Sequence, residues 1–95
     1  MVVSILHIVV DLPHINSLKE KRQIVQSVKM RLQNKFKISV AEVDQLDSRR
    51  VAEIGAVVVS NSRQYGESVM NKALHFVENF VPGRIRDASI FSELY

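Results

Sequence analysis

Lys19, Lys21, Arg22, Lys29, Arg49 and Arg50 are the residues of this chain best suited to chemistry. Clustered lysine and arginine neutralise phosphate, and arginine grips a pair of phosphate oxygens with two parallel N–H bonds. Lys19, Lys21 and Arg22 fall in the first turn of an expected helix, where free amides and the helix dipole add positive potential. The topology expected below brings Asp11, His14, Asp44, Asp47, Arg84 and Arg86 to the same end of the molecule. One reading of this group is a phosphate-contacting patch. The other is a solvated rim of mixed charge, in which Asp44 and Asp47 pair with Lys21 and the arginines. Lys21 differs from its neighbours because, on a helical wheel, it points the same way as Val25, Val28 and Leu32. Its stem can lie along an apolar surface while its ammonium reaches Asp44 or Asp47, a structural pair rather than a catalytic amine.

Other chemistries find little support. Glu42, Asp44 and Asp47 begin to resemble a carboxylate metal site, but the D-x-D-x-D-G loop is missing. His7, His14 and His75 are scattered without partners at ligand spacing, and no cysteine is present to supply a thiolate or a disulfide. No nucleophile elbow, phosphate-cradling Walker loop or dinucleotide fingerprint occurs, and there are only three glycines. The expectation is a non-enzymatic protein with no metal and no cofactor.

The elements that position these residues follow from hydrophobic periodicity. Residues 2–10 read as a valine- and isoleucine-rich strand, apolar on both faces and therefore central. Ser17 and Glu20 form an S-x-x-E capping box at the start of a helix over 17–34, whose apolar stripe is Leu18, Val25, Val28 and Leu32. Phe36, Ile38 and Val40 alternate in a second strand over 36–44, with a bulge near Val43. Residues 51–60 form a third strand, close enough to pair with the second as a hairpin. Asn61 caps a second helix over 62–80, with Val69, Ala73, Phe76 and Phe80 on its apolar face. Pro82-Gly83 ends it, and a last strand runs over 84–93. The core is expected to hold Leu6, Ile8, Leu18, Val25, Val28, Leu32, Ile54, Val58, Val69, Ala73, Phe76 and Phe80.

Strand, helix, strand, strand, helix, strand is the order of one ferredoxin-like α+β domain spanning 1–95: a four-stranded antiparallel sheet with both helices on one face. That leaves the other face open. It should carry Val3, Ile5, Val9, Val51, Val57, Val59, Ile85 and Phe91, broken by His7, Glu53, Asp87 and Ser89. Such a patch predicts an interface, and a two-fold homodimer burying Val3, Ile5, Val9, Val57, Val59, Ile85 and Phe91 is the simplest solution. The central strands offer no Phe, Tyr or Trp to that face, so bases cannot stack on it as they do on an RRM.

Three stretches carry a family resemblance: Ser17-Leu18-Lys19-Glu20-Lys21-Arg22, Phe36-Lys37-Ile38-Ser39-Val40-Ala41-Glu42-Val43-Asp44 and Gly55-Ala56-Val57-Val58-Val59-Ser60-Asn61. In this order and spacing the chain resembles the YlxP-like family of small bacterial proteins, a domain of unknown function. The resemblance implies a bacterial cytosolic protein linked to ribosome or RNA work, because genes of the family often lie beside those of transcription and translation factors. It supplies no catalytic residues. The last strand departs from the pattern, with Ser89 and Phe91 where family members tend to be acidic. The arginine-plus-asparagine loop of acylphosphatases, enzymes of the same fold, is absent.

A chain of 95 residues with a formal charge of +3 suits one domain and permits binding to nucleic acid. The apolar run Val2–Val10 is too short to span a bilayer and lacks a basic region before it. The basic residues, together with what the resemblance implies, make RNA or the ribosome one expected partner, and the open sheet face makes a second copy of the chain another. The expected location is the cytoplasm, with no membrane partner.

Overall fold

The structure is a computed structural model that describes residues 1–95. Its elements are β1 (Val2–Asp11), α1 (Leu18–Phe36), β2 (Ser39–Asp44), β3 (Val51–Ser60), α2 (Arg63–Phe80) and β4 (Arg84–Leu94). All strand pairings are antiparallel, in the order β2-β3-β1-β4, so β1 and β3 are central. The apolar stripes of both helices join one core with Leu6, Ile8 and Val10 of β1 and Ala52, Ile54 and Ala56 of β3. Both helices thus cover the same face of the sheet, and the fold is ferredoxin-like. No helix is long and apolar enough to cross a membrane.

The capping box forms as the sequence requires. Ser17 Oγ accepts from the Glu20 amide at 3.1 Å, and Glu20 reaches back to the amide of Asn16 at 3.4 Å. The far end of α1 differs from expectation. The helix runs on to Phe36 and stops where Lys37 takes a left-handed backbone (φ 57), donating its N–H to the Gln33 carbonyl. The Phe36, Ile38, Val40 alternation imitates a strand, but Phe36 packs edge-on against Phe76 at 6.3 Å, which rewards the two extra helical residues. The second strand accordingly begins at Ser39.

The second helix is capped by Ser62, whose hydroxyl accepts from the Tyr65 amide, and not by Asn61. Its buried stripe is Gly66, Met70, Ala73 and Val77, rotated from the expected one. Val69, Phe76 and Phe80 flank it, half-buried against the core, as Val58 is. The rotation follows from Gly66: a side chain there would collide with Ser4 Oγ, so glycine lets α2 settle directly onto β1. Leu18 is only half-buried and lies outside the core; Leu12 and Ile15 of the β1–α1 loop are buried in it instead.

Two register shifts interrupt the ladders. One, between Glu42 and Asp44 on β2, is the bulge expected near Val43. The other was not legible: between Val9 and Val10 the β4 partner skips from Asp87 to Ile85, leaving Arg86 as the extra residue.

Candidate anion-binding surface

Lys21 is where the structure departs most from the sequence reading. Its side chain is 0% exposed, its Nζ lies 2.8 Å from Glu42 Oε2, and it donates to the Gln45 carbonyl at 2.5 Å. It is therefore no solvent-facing anion contact, and its partner is neither Asp44 nor Asp47. The cause is strand phase. Glu42 pairs with Ile54, a core residue, so its side chain points under α1, whereas Asp44 lies beyond the bulge and accepts from the Gln45 amide. Glu42 Oε2 has no well-angled hydrogen bond, so the pair is a close charge contact. It fastens the start of α1 to the β2–β3 turn, in which Gln45 adopts a left-handed backbone (φ 60).

The same turn carries Arg49 and Arg50, both exposed. Arg49 Nη1 donates to the Asn16 carbonyl at 3.4 Å, bringing the turn against the N-terminus of α1. Lys19 and Arg22 are exposed on the outer side of that helix and line one shallow depression with Gln23, Gln26, Ser27 and Met30. Lys29 is half-buried and stands apart from this depression. The salt bridges of the chain are His7–Glu53, Lys21–Glu42, Arg84–Asp11 and Arg86–Asp11. Lys19, Arg22, Lys29, Arg49 and Arg50 enter none of them, and neither do Asp44 and Asp47. At this end the carboxylate that meets arginines is Asp11, with Arg84 and Arg86, rather than Asp44 or Asp47.

Arg84 and Arg86, placed at this end by the sequence reading, gather with Arg50 around Asp11. Arg84 is the register partner of Asp11, and the bulge turns Arg86 toward the same carboxylate. The close approach of β4 to the end of β1 needs Gly83, where a Cβ would strike the Asp11 carbonyl oxygen.

The open sheet face is apolar in part. Ile5 lies between Val57 and Phe91, and Val3 is opposite Val59. Val57, Val59 and Phe91 are 37%, 61% and 45% exposed. Val9, expected in the patch, is already buried, flanked across the sheet by Glu53 and Asp87. Ile85 is lost to it as well: the bulge puts it opposite Val10 and turns it onto the core. Val43 joins in their place, exposed and seated over Gly55, a contact that strand alternation could not foresee across a bulge. On the opposite side of the molecule, Phe76 and Phe80 stack at 5.4 Å beside Phe36, with Lys35 and Arg31 over the rings. The sequence reading placed Phe76 and Phe80 in the core and missed this cationic cover. No group of three or more His, Asp or Glu side chains is placed to hold a metal ion.

A family model described as a protein of unknown function (DUF503) matches residues 3–90. The chain belongs to the DUF503 family. A curated relative of this DUF503 chain is "Uncharacterized protein YlxP" of Bacillus subtilis (strain 168), 36% identical over 64 residues, covering 67% of this chain and 70% of that protein. Among solved structures, the acylphosphatase of Bacillus subtilis superposes with a TM-score of 0.55 at 15% identity, over 100% of this chain and 88% of the other. At that identity the likeness is one of fold.

Proposed function

We propose that this DUF503 protein is a non-enzymatic binding protein of the ribosome or translation machinery, acting in the cytoplasm. It contacts the RNA backbone through Lys19, Arg22, Lys29, Arg49 and Arg50. The observation that carries this reading is the exposure of Lys19, Arg22, Arg49 and Arg50 about the start of α1, where Arg49 bonds the Asn16 carbonyl and no carboxylate pairs with any of them. Cations free of carboxylates keep their N–H donors for phosphate and release counterions when they bind it. Lys21 contributes by anchoring the Arg49–Arg50 turn to α1, not by touching RNA. Recovery of a tagged copy from its host, with and without nuclease, tests the reading. Ribosomal material should be retained and should fall away after nuclease; identical recovery in both would count against RNA.

A second reading is a protein-interaction or regulatory module acting through homodimerisation. It is favoured by the exposure of Val43, Val57, Val59 and Phe91 next to Ile5 on one sheet face. Each exposed aliphatic side chain forgoes about 1.5–3 kcal/mol of burial, which an isologous pairing of two such faces would recover. Salt separates the two readings: backbone contact weakens steeply as salt rises, whereas apolar pairing holds or tightens.

A further inference from the structure

The end of the central strand gathers two guanidinium groups on one carboxylate, and another arginine, Arg50, lines the same depression. Asp11 is the last residue of β1, with Val51 of β3 and Arg84 of β4 as its register partners. Arg50 immediately precedes Val51, so each neighbouring strand delivers an arginine to the carboxylate's level. The bulge at Val9/Val10 supplies the third by throwing Arg86 out of the ladder. Bulges beside functional sites commonly re-aim a side chain in this way. Arg86 bonds Asp11 at 2.5 Å, and Arg84 approaches the other carboxylate oxygen at 3.8 Å. Asp11 is 18% exposed while Arg84 and Arg86 are 82% and 55% exposed, so the carboxylate forms a floor and the guanidiniums a rim. Asp11, Pro13, Arg50, Val51, Arg84 and Arg86 enclose a depression of about 440 Å³.

Neither Glu53, which pairs with His7, nor Asp87 lines the depression, where three arginines face one carboxylate. Counted over that lining, the surplus of positive charge is about that which a dianion would neutralise. A phosphodiester carries a single negative charge, whereas a phosphomonoester carries close to two at neutral pH. Arginine's planar fork suits the paired oxygens of such a group. We infer that the Arg50–Arg84–Arg86 depression, with Asp11 as its positioning residue, is a binding site for a phosphomonoester. That the phosphate is the 5′ end of an RNA strand rests on the function proposed above; the site itself does not.

Calorimetric titration of the whole chain with four probes tests this: a 5′-phosphorylated and a 5′-hydroxyl single-stranded RNA of one sequence, AMP and adenosine. The terminal phosphate should raise RNA affinity about tenfold to a hundredfold, the range for charged hydrogen bonds. Arg84→Gln/Arg86→Gln should erase that ratio while 5′-hydroxyl RNA binds as before. Lys19→Gln/Arg22→Gln should weaken both RNAs and preserve the ratio. Arg50→Gln, preceding another strand, should weaken both RNAs and also lower the ratio, which keeps the test independent of any disturbance of β4. AMP binding that these arginine substitutions abolish, with neither RNA bound, would sustain the site while the RNA function falls. Equal affinity for both RNAs together with no preference for AMP over adenosine would overturn the inference, as would a ratio that survives the arginine substitutions.

Discussion

Replacing Lys21 with methionine should destabilise the chain strongly, although no cation is lost from the surface. The methionine fills the lysine stem's place, so the apolar contacts of the first turn of α1 persist. What is lost is the partner of Glu42, a carboxylate whose side chain is 15% exposed, and the donor to the Gln45 carbonyl. Removing one member of a buried pair costs about 3–5 kcal/mol, and the partial exposure of Glu42 sets the expectation at the lower end, about 3 kcal/mol. With a urea m-value of about 1–3 kcal/mol/M, the unfolding midpoint should fall by roughly 1–3 M. At about 4–8 °C per kcal/mol for a domain of this size, the melting temperature should drop by more than about 10 °C. Urea unfolding followed by circular dichroism reads both wild type and variant. The double variant Lys21→Met/Glu42→Leu, which removes the stranded charge, should recover most of the loss. A single change costing under about 1 kcal/mol, or a double variant as unstable as the single, would refute the argument from charge burial.

Gly66→Ala should lower stability by about 1–3 kcal/mol through overpacking against Ser4, measured by the same unfolding curve. Lys19→Gln/Arg22→Gln/Lys29→Gln should leave the circular dichroism spectrum and melting temperature unchanged yet reduce retention of ribosomal material, since none of the three is salt-bridged. If the chain sediments as a dimer at micromolar concentration, Val57→Asp should return it to monomer by stranding a carboxylate in an apolar interface; a dimer that survives this change does not use the open face.

The element order, the capping box of α1 and the antiparallel sheet were legible because each rests on local pattern. Valine- and isoleucine-rich runs mark the strands, Ser17 and Glu20 mark a helix start, and Pro82-Gly83 marks a helix stop. What escaped depends on contacts between elements. Phe36 alternates with Ile38 and Val40 as in a strand, and only its packing on Phe76 assigns it to α1. The stripe of α2 was misplaced because Gly66 has no hydrophobicity to signal its role, which is to admit Ser4. The helical wheel shows Lys21 pointing inward but not its partner: Glu42 looks like a break in alternation, yet it is the inward charge that answers Lys21. The β4 bulge has no sequence signature, and it turns Ile85 against the core and Arg86 onto Asp11. The basic surface was thus visible in composition and helix position, while its division into separate depressions belongs to the tertiary structure.

The most direct test of the proposed function is the salt dependence of RNA binding. Fluorescence anisotropy would compare the wild-type chain with a variant carrying glutamine at Lys19, Arg22, Lys29, Arg49 and Arg50, titrated with a labelled single-stranded RNA from low to physiological salt. Five phosphate contacts predict a slope of log K against log salt near about −3.5, at about −0.7 per contact on a single strand. The variant should lose nearly all of that slope and most of its low-salt affinity. A wild-type chain that binds no RNA at low salt, or a slope the five substitutions leave unchanged, would contradict the account.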